Sequence, residues 1–517
     1  MSSPNNPSAK NLWLRLALGC LLLSLSAGAA QDRFDSAAVD LNNRALQLQA
    51  EGKLDEAIAT FRQALDRNPR FAFAWNNLGN ALAEKGELDD AVTAYQRALA
   101  IKPDYAEAYN NLGLAFADKG DQDAALDAYY NALQHRPNFL PALNNLGLTL
   151  RQKGQLDAAR TAFEKVVTIE PRFSPAWSNL GDILAKQGRS DEAVAAYERA
   201  LALQSENPEI HYNFANELRA RGETSKALSH YRTALRLRPQ YPDARYNLGI
   251  ALTEAGELDA AATEFEQALA AQPHFPDALS RLGEVRRRQG RFEEAVDLLD
   301  HALAMKPGDG EILNNLGLTY QEAGNLEQAA AHFEKALVVR PDDPRTLVNL
   351  GVARHHQGRF EEAEKLLQQA VELDPALPEA HNNLGLAQSA LGKPDAAMAS
   401  YRRALELRPE YPDALANLGV ALAQKGDRNA AVETLARALA LEPENLKALA
   451  NSGSVFLALG RLPEAIAAYE KAVGLAPDDP ELHYNLALAL RRAGREQEAQ
   501  REFAEAARLN PKMKPPE

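Results

Sequence analysis

Residues 72–105 read AFAWNNLGNALAEKGELDDAVTAYQRALAIKPDY, and residues 106–139 read AEAYNNLGLAFADKGDQDAALDAYYNALQHRPNF. The two stretches align without a gap at a spacing of 34, and the spacing carries outward in both directions. Prolines keep it from Pro69, Pro103 and Pro137 to Pro511, broken only at Ser205. Glycines keep it without exception from Gly52 and Gly86 to Gly494, and alanines from Ala57 and Ala91 to Ala499. Three combs in one register mean one supersecondary unit repeated fourteen times, from 38–71 through 72–105 and onward to 480–513.

The chemistry of each position explains the pattern. Leu78, Leu82, Tyr95, Ala98 and Leu99 fall at helical spacing and form an apolar stripe. Gly79 and Ala91 are small where two antiparallel helices cross, Gly86 suits the left-handed turn between them, and Pro103 stops the second helix. Each buried Leu or Tyr contributes about 1.5–3 kcal/mol, yet one hairpin covers only part of its own apolar surface, so stacking neighbours must supply the rest. Polar ends are therefore expected, and Arg44 with Ala45 replaces the usual Leu-Gly in the first repeat, while Arg495 to Phe503 is a polar last helix. Ser205, Pro394 and Ser452 stand out as internal weak points where a bend or a softer repeat is expected.

Trp75, Asn76, Asn77, Leu78 and Gly79, followed by Gly86, Ala91, Tyr95, Ala98 and Pro103, resemble the tetratricopeptide repeat, departing from its pattern only at Leu82, where an aromatic is usual. The resemblance covers 476 of 517 residues. It implies an all-α fold, a right-handed α-solenoid superhelix of 14 helix-turn-helix repeats whose inner groove is lined by first helices.

The segment before the repeats differs in kind. Lys10 and Arg15 flank and enter an apolar run from Leu12 to Leu25, followed by Ser26-Ala27-Gly28-Ala29-Ala30. Residues 1–30 read as a secretory signal peptide cut after Ala29 or Ala30, with 31–37 a short lead-in and 514–517 a tail. Cys20, the single cysteine, sits in Ala17-Leu18-Gly19-Cys20, a partial lipoprotein box, and an uncleaved anchor is a further alternative. Cleavage after Ala30 leaves no cysteine, so packing rather than disulfides must stabilise an exported chain. The whole chain has 57 basic and 71 acidic residues, net −14, which becomes −16 without residues 1–30. That balance argues against nucleic acid as a partner.

Within each first helix the second, sixth, ninth and thirteenth positions share a face. The sixth is asparagine in thirteen of fourteen repeats: Asn43, Asn77, Asn111, Asn145, Asn179, Asn213, Asn247, Asn315, Asn349, Asn383, Asn417, Asn451 and Asn485, with Arg281 the exception. A carboxamide pairs with a peptide amide whatever the side chain, so this ladder suits an extended peptide. It is similar to the superhelical half of O-linked N-acetylglucosamine transferases, without their catalytic region. The same asparagines also suit bonds to neighbouring helices. Leu114, Leu148, Ile250, Leu318, Val352, Leu386, Val420 and Leu488 at the ninth position form an apolar rail or ordinary packing.

A narrower site is suggested by Asn216, Asn247 and Arg281, which match three of five places in the carboxylate clamp of chaperone-binding repeats. Tyr212 and Asp277 replace its lysines, and Asp277 is placed to pair with Arg281. Arg286, Arg287 and Arg288, with His355 and His356, form a basic patch that is either an anion contact or a solvated face. His355 and His356 are expected to point away from each other on their helix. His211, His381 and His483 take the place of Trp75 and Trp177 and read as packing. No HExxH, CxxC, Walker or GxSxG arrangement occurs, so no enzyme, metal site or cofactor is expected. The sequence thus points to a scaffold that captures protein or peptide segments, in bacterial envelope assembly or export. Alternatives are a polysaccharide-export component touching glycan or a porin, and a membrane-anchored assembly factor facing the cytoplasm.

Overall fold

The structure is a computed structural model and describes residues 35–513. The expected signal segment, Cys20 and residues 514–517 lie outside the described residues. Among the described residues there are 28 α-helices, numbered here α1 (Ser36–Ala50) to α28 (Glu496–Leu509), and no strand. They form fourteen antiparallel hairpins in chain order, each a first and a second helix of the repeat. The all-α stack of hairpins expected from the sequence is the fold observed.

The second repeat shows why the chain folds this way. Helix α3 (Ala72–Lys85) ends at Gly86, whose φ of +89° lies in the left-handed region that a Cβ makes costly. There Glu87 N–H donates to Leu82 O at 2.9 Å and closes the helix end. Helix α4 (Leu88–Ile101) then starts with Asp89 and Asp90 against its positive end and stops before Pro103. Between the two helices Tyr95 is buried against Gly79, where an added Cβ would sit 2.5 Å from the ring. The eighth position is nevertheless alanine in the sixth repeat, where Ala215 and Tyr231 are both fully buried. Helix separation therefore adjusts to a methyl at this crossing.

The chain divides into two compact units after Leu237, holding repeats 1–6 and 7–14. Within each unit, first helices of adjacent repeats approach one another closely, whereas their second helices do not. Each stack therefore curves with its first helices on the inside.

A surface ladder ties neighbouring repeats in the first unit. Lys85 pairs with Asp55 at 2.6 Å, Lys119 with Asp89, Lys153 with Asp123, and Arg221 with Asp191 at 2.7 Å, while Gln187 donates to Asp157 at 3.0 Å. In the second unit the same spacing returns as Gln289 to Asp259 at 2.7 Å, Gln357 to Glu327 at 3.2 Å, and Lys425 with Asp395. Each such exposed contact stabilises by about 0–1 kcal/mol.

Two of the three suspected weak points look ordinary. Pro394 opens helix α22 (Pro394–Leu407) in the first turn, where its missing N–H costs nothing, so the proline does not interrupt the helix. At Ser205 the preceding helix ends at Leu203, in register with its neighbours, and the serine carbonyl is held by His211 at 3.0 Å. Ser452 differs: it is buried and its hydroxyl has no partner.

Candidate functional site

Five asparagines of the ladder bond to the residue 35 positions earlier. Asn77 Nδ2 donates to Asn42 Oδ1, Asn111 to Asn76 and Asn145 to Asn110, each at 3.0 Å. In the second unit Asn349 donates to Asn314 and Asn417 to Asn382, both at 2.9 Å. In every case the acceptor is the fifth-position asparagine of the preceding repeat, and four of the five acceptors are fully buried. These carboxamides join one first helix to the next. The signal was present in the sequence as the Asn-Asn doublets at 42–43, 76–77, 110–111, 314–315 and 382–383, whose first members the sequence reading passed over.

Other sixth-position residues find different partners. Asn179 accepts from Arg151 at 3.2 Å, which also grips Asp182 at 3.0 Å, and buried Asn144 Oδ1 is left without a donor. Asn213 hydrogen-bonds Asp182, whose carboxyl burial pushes above its usual range despite Tyr197, Arg151 and Asn213. Asn383 donates to Glu379 O on its own helix at 2.9 Å, and Asn247 is engaged as well. Asn43 is exposed on α1.

Three members remain open. The places 35 residues before Asn315, Asn451 and Asn485 hold Ser280, Ala416 and Ala450, and these three asparagines make no side-chain hydrogen bond among the described residues. All three are half-buried on the concave face of the second unit. Of their ninth-position neighbours, Leu318 and Leu488 are also half-buried, so both carry an amide and an aliphatic group side by side.

The ninth position follows a rule of its own. Tyr95 hydroxyl donates to Asn80 at 2.8 Å, Tyr197 to Asp182 and Tyr231 to Asn216 at 2.6 Å, and Tyr469 meets Ser454 at 2.8 Å. Opposite Phe163, Phe265, Phe333 and Phe503 the ninth residue is Leu148, Ile250, Leu318 and Leu488. A polar ninth residue thus meets the phenol that would otherwise be buried unsatisfied, and an apolar one meets a ring without a hydroxyl. Leu114 and Leu386 depart from this, standing opposite Tyr129 and Tyr401, and Leu114 is 41% exposed. Val352, Leu386 and Val420 are half-buried.

The groups expected to hold an anion are otherwise occupied. Asn216 accepts from Tyr231, and Arg281 is held by Glu284 at 2.9 Å and Glu311 at 3.1 Å. Asp277 pairs with Lys306 at 2.5 Å rather than with Arg281, because the second helix of the same repeat brings that ammonium to it. Arg287 pairs with Glu322, Arg286 with Glu266, and Arg288 donates to Thr253 O at 3.2 Å. Two of the three arginines are therefore neutralised by carboxylates of other helices, and Arg288 is held by a carbonyl.

His355 and His356 do not diverge as expected: their rings meet edge-on at 5.8 Å. Burial, with His356 and Lys447 nearby, holds His355 below its ordinary value, and its Nδ1 is buried without a partner.

The fourth-position residues hold the carbonyl six residues earlier, at the end of the preceding repeat. Trp75 donates to Pro69 O at 3.0 Å and Trp177 to Pro171 O at 2.9 Å, and His381 contacts Pro375 O at 3.1 Å. Where this position is Leu143 or Leu449, Lys165 or Lys471 takes over, donating to Pro137 O or Pro443 O at 2.6 Å.

His211 and His483 add a second contact. His483 sits between Pro477 O at 2.9 Å and Glu502 at 2.6 Å, two acceptors that outweigh burial, raise its pKa and favour the protonated ring. His211 instead faces Ser205 O through Nε2 and His230 Nδ1 at 2.8 Å. With Nε2 donating to the carbonyl, neutral His211 accepts at Nδ1 and His230 donates.

Comparison with known proteins agrees with this architecture. Residues 275–342, 310–376, 342–410, 389–452 and 480–513 match models of the tetratricopeptide repeat, and 453–494 matches a TPR repeat model. Residues 22–278 match the model of the cilia and flagella-associated protein 70 C-terminal domain. The crystal structure of the APC/C hetero-tetramer Cut9-Hcn1 is similar at a TM-score of 0.50 and 15% identity, covering 96% of each chain. Yeast Tom70 is similar at a TM-score of 0.40 and 18% identity, covering 86% of this chain and 99% of that one. No curated protein matches at a significant level.

Proposed function

We propose that this chain of tetratricopeptide repeats is a non-catalytic scaffold that holds extended peptide segments along the concave face of its second unit, after export to a bacterial envelope. The observation that carries the reading is the division of the ladder. Asn315, Asn451 and Asn485 keep donor and acceptor free on the inside of a curved stack, while the paired asparagines build the wall around them. A carboxamide takes one N–H and one C=O from a passing backbone, and the half-buried Leu318 and Leu488 beside two of them favour an aliphatic side chain in the ligand. Export rests on the segment with Lys10, Arg15 and the small residues from Ser26 to Ala30.

The test is selection from a random peptide library on the protein, with an oligosaccharide array in parallel. The expected result is a family of peptides with spaced aliphatic residues and otherwise loose sequence. Enrichment of glycans and of no peptide would transfer the reading to the polysaccharide-export alternative.

A further inference from the structure

In the sixth repeat two imidazoles meet where the packing requires one. His211 lies near the start of the repeat's first helix, Pro208–Ala220, and His230 lies in its second, Thr224–Leu237. Their ring centres are 5.1 Å apart with planes tilted by 31°, and the two Nδ1 atoms face each other at 2.8 Å. Repeats 2–5 carry Ala94, Ala128, Ala162 and Ala196 at the place of His230. Nor does a fourth-position histidine need a ring opposite it. His381 holds Pro375 O at 3.1 Å, while Ser400, which stands at the equivalent of His230, bonds Gln388 at 2.8 Å.

The surroundings of the pair suit a cation. His211 Nε2 lies 3.0 Å from Ser205 O, so that nitrogen carries the hydrogen and the Nδ1 lone pair points at His230. A carbonyl on the far nitrogen is the outer contact that fixes tautomer and ring direction in metal-ligating histidines. His211 is buried and Phe214 packs at 4.7 Å against His230, which is itself half-buried, so the pair is backed by protein while one ring reaches water. Among the described residues no third His, Cys, Asp or Glu joins the two, which leaves water to complete a coordination shell.

We propose that His211 and His230 bind a divalent transition cation of the kind imidazole prefers, zinc or copper, through their two Nδ1 atoms. On binding, the hydrogen between the rings leaves His230 Nδ1 for water and water returns one to His230 Nε2, so both rings stay neutral and no net proton is released. At a metal–nitrogen distance of about 2.0–2.1 Å, tetrahedral geometry sets the two nitrogens about 3.3 Å apart, so the half-buried ring of His230 swings by only about 0.5 Å. Magnesium and calcium are not accommodated, because they take oxygen ligands and the pair offers none. The cation joins the two helices of repeat 6, in the first unit, and is independent of the groove reading above.

The experiment uses the full chain, stripped of metal with a chelator and then dialysed free of it at neutral pH. Zinc binding is followed by titration calorimetry in the native protein, in His230→Ala, and in a control at an exposed histidine, His356→Gln. Native chain and control are expected to take up zinc equally. His230→Ala, which carries the alanine of repeats 2–5, is expected to bind about tenfold or more weakly, since loss of even an outer partner of a ligating histidine costs about 10–100-fold. Copper(II) supplies a second readout, an electron paramagnetic resonance spectrum with coupling to two imidazole nitrogens that His230→Ala reduces. Equal zinc binding by the native chain and His230→Ala overturns the site, and so does no binding by the native chain. Displacement of the zinc by equimolar magnesium overturns it as well, because that places the cation on carboxylates. Melting curves recorded without metal keep a folding defect in His230→Ala from imitating the expected loss.

Discussion

Asn417 donates through Nδ2 to Asn382 Oδ1 at 2.9 Å, across the junction of two repeats, with both side chains buried. This bond and its four counterparts give the fifth-position asparagine a structural task. Removing either partner strands the other in a place water does not reach. Asn382→Ala is therefore expected to destabilise its junction by about 1–3 kcal/mol. Double-mutant analysis with Asn417→Ala should show strong coupling, read from local amide exchange because repeat arrays need not melt in one step. Independent effects would mean that the carboxamides do not act as a pair.

Asn144 has the same identity and burial but lacks its donor, because Arg151 has drawn Asn179 away. Asn144→Ala is accordingly expected to leave stability unchanged or raise it slightly, whereas Asn110→Ala lowers it by about 1–3 kcal/mol. Thermal melts of the two variants side by side check this. Equal losses would contradict the distinction.

Ser452 buries a hydroxyl where most other repeats have leucine, with nothing to receive its hydrogen. Ser452→Ala removes the unsatisfied group without adding bulk and is expected to stabilise the thirteenth repeat by about 1 kcal/mol or more. Denaturant unfolding monitored by amide exchange in residues 446–479 reads this out.

His230, the partner of fourth-position His211, and fourth-position His483 respond to pH with opposite sign. Burial and the facing His211 push His230 down to about 4 from an ordinary 6.5. The neutral ring is favoured in the fold, so its contribution is whole above 6.5 and is lost as pH falls towards 4. His483 is raised above 6.5, so its contribution is whole below that value and is lost as pH rises through the folded pKa. Going from pH 7.5 to about 5 should therefore loosen repeat 6 and tighten repeat 14 in hydrogen exchange. His230→Gln should abolish the first change only.

The hairpin architecture was legible because each element leaves its mark at a fixed place. Gly86 marks the turn, Pro103 the stop, and Gly79 opposite Tyr95 the helix crossing, and fourteen repetitions separate these marks from chance. The ladder was legible as a column of residues but not as a set of states. Whether Asn417 or Asn451 is open depends on a residue 35 places earlier, Asn382 against Ala416. That dependence follows from how successive first helices abut, which a single-repeat pattern does not contain. The arginine patch misled for a related reason: Glu322 and Glu266, which neutralise Arg287 and Arg286, come from other helices.

The measurement that bears most directly on the account compares two triple variants for peptide binding and for melting. Asn315→Ala, Asn451→Ala and Asn485→Ala together remove the open carboxamides, while Asn111→Ala, Asn349→Ala and Asn417→Ala remove paired ones. The account predicts that the first variant melts like the native chain and loses selected peptides by about tenfold or more, as loss of several hydrogen bonds implies. It predicts that the second melts earlier and, below its transition, still binds them. A first variant that binds as the native protein does would contradict the claim that the open asparagines are the ligand-facing ones.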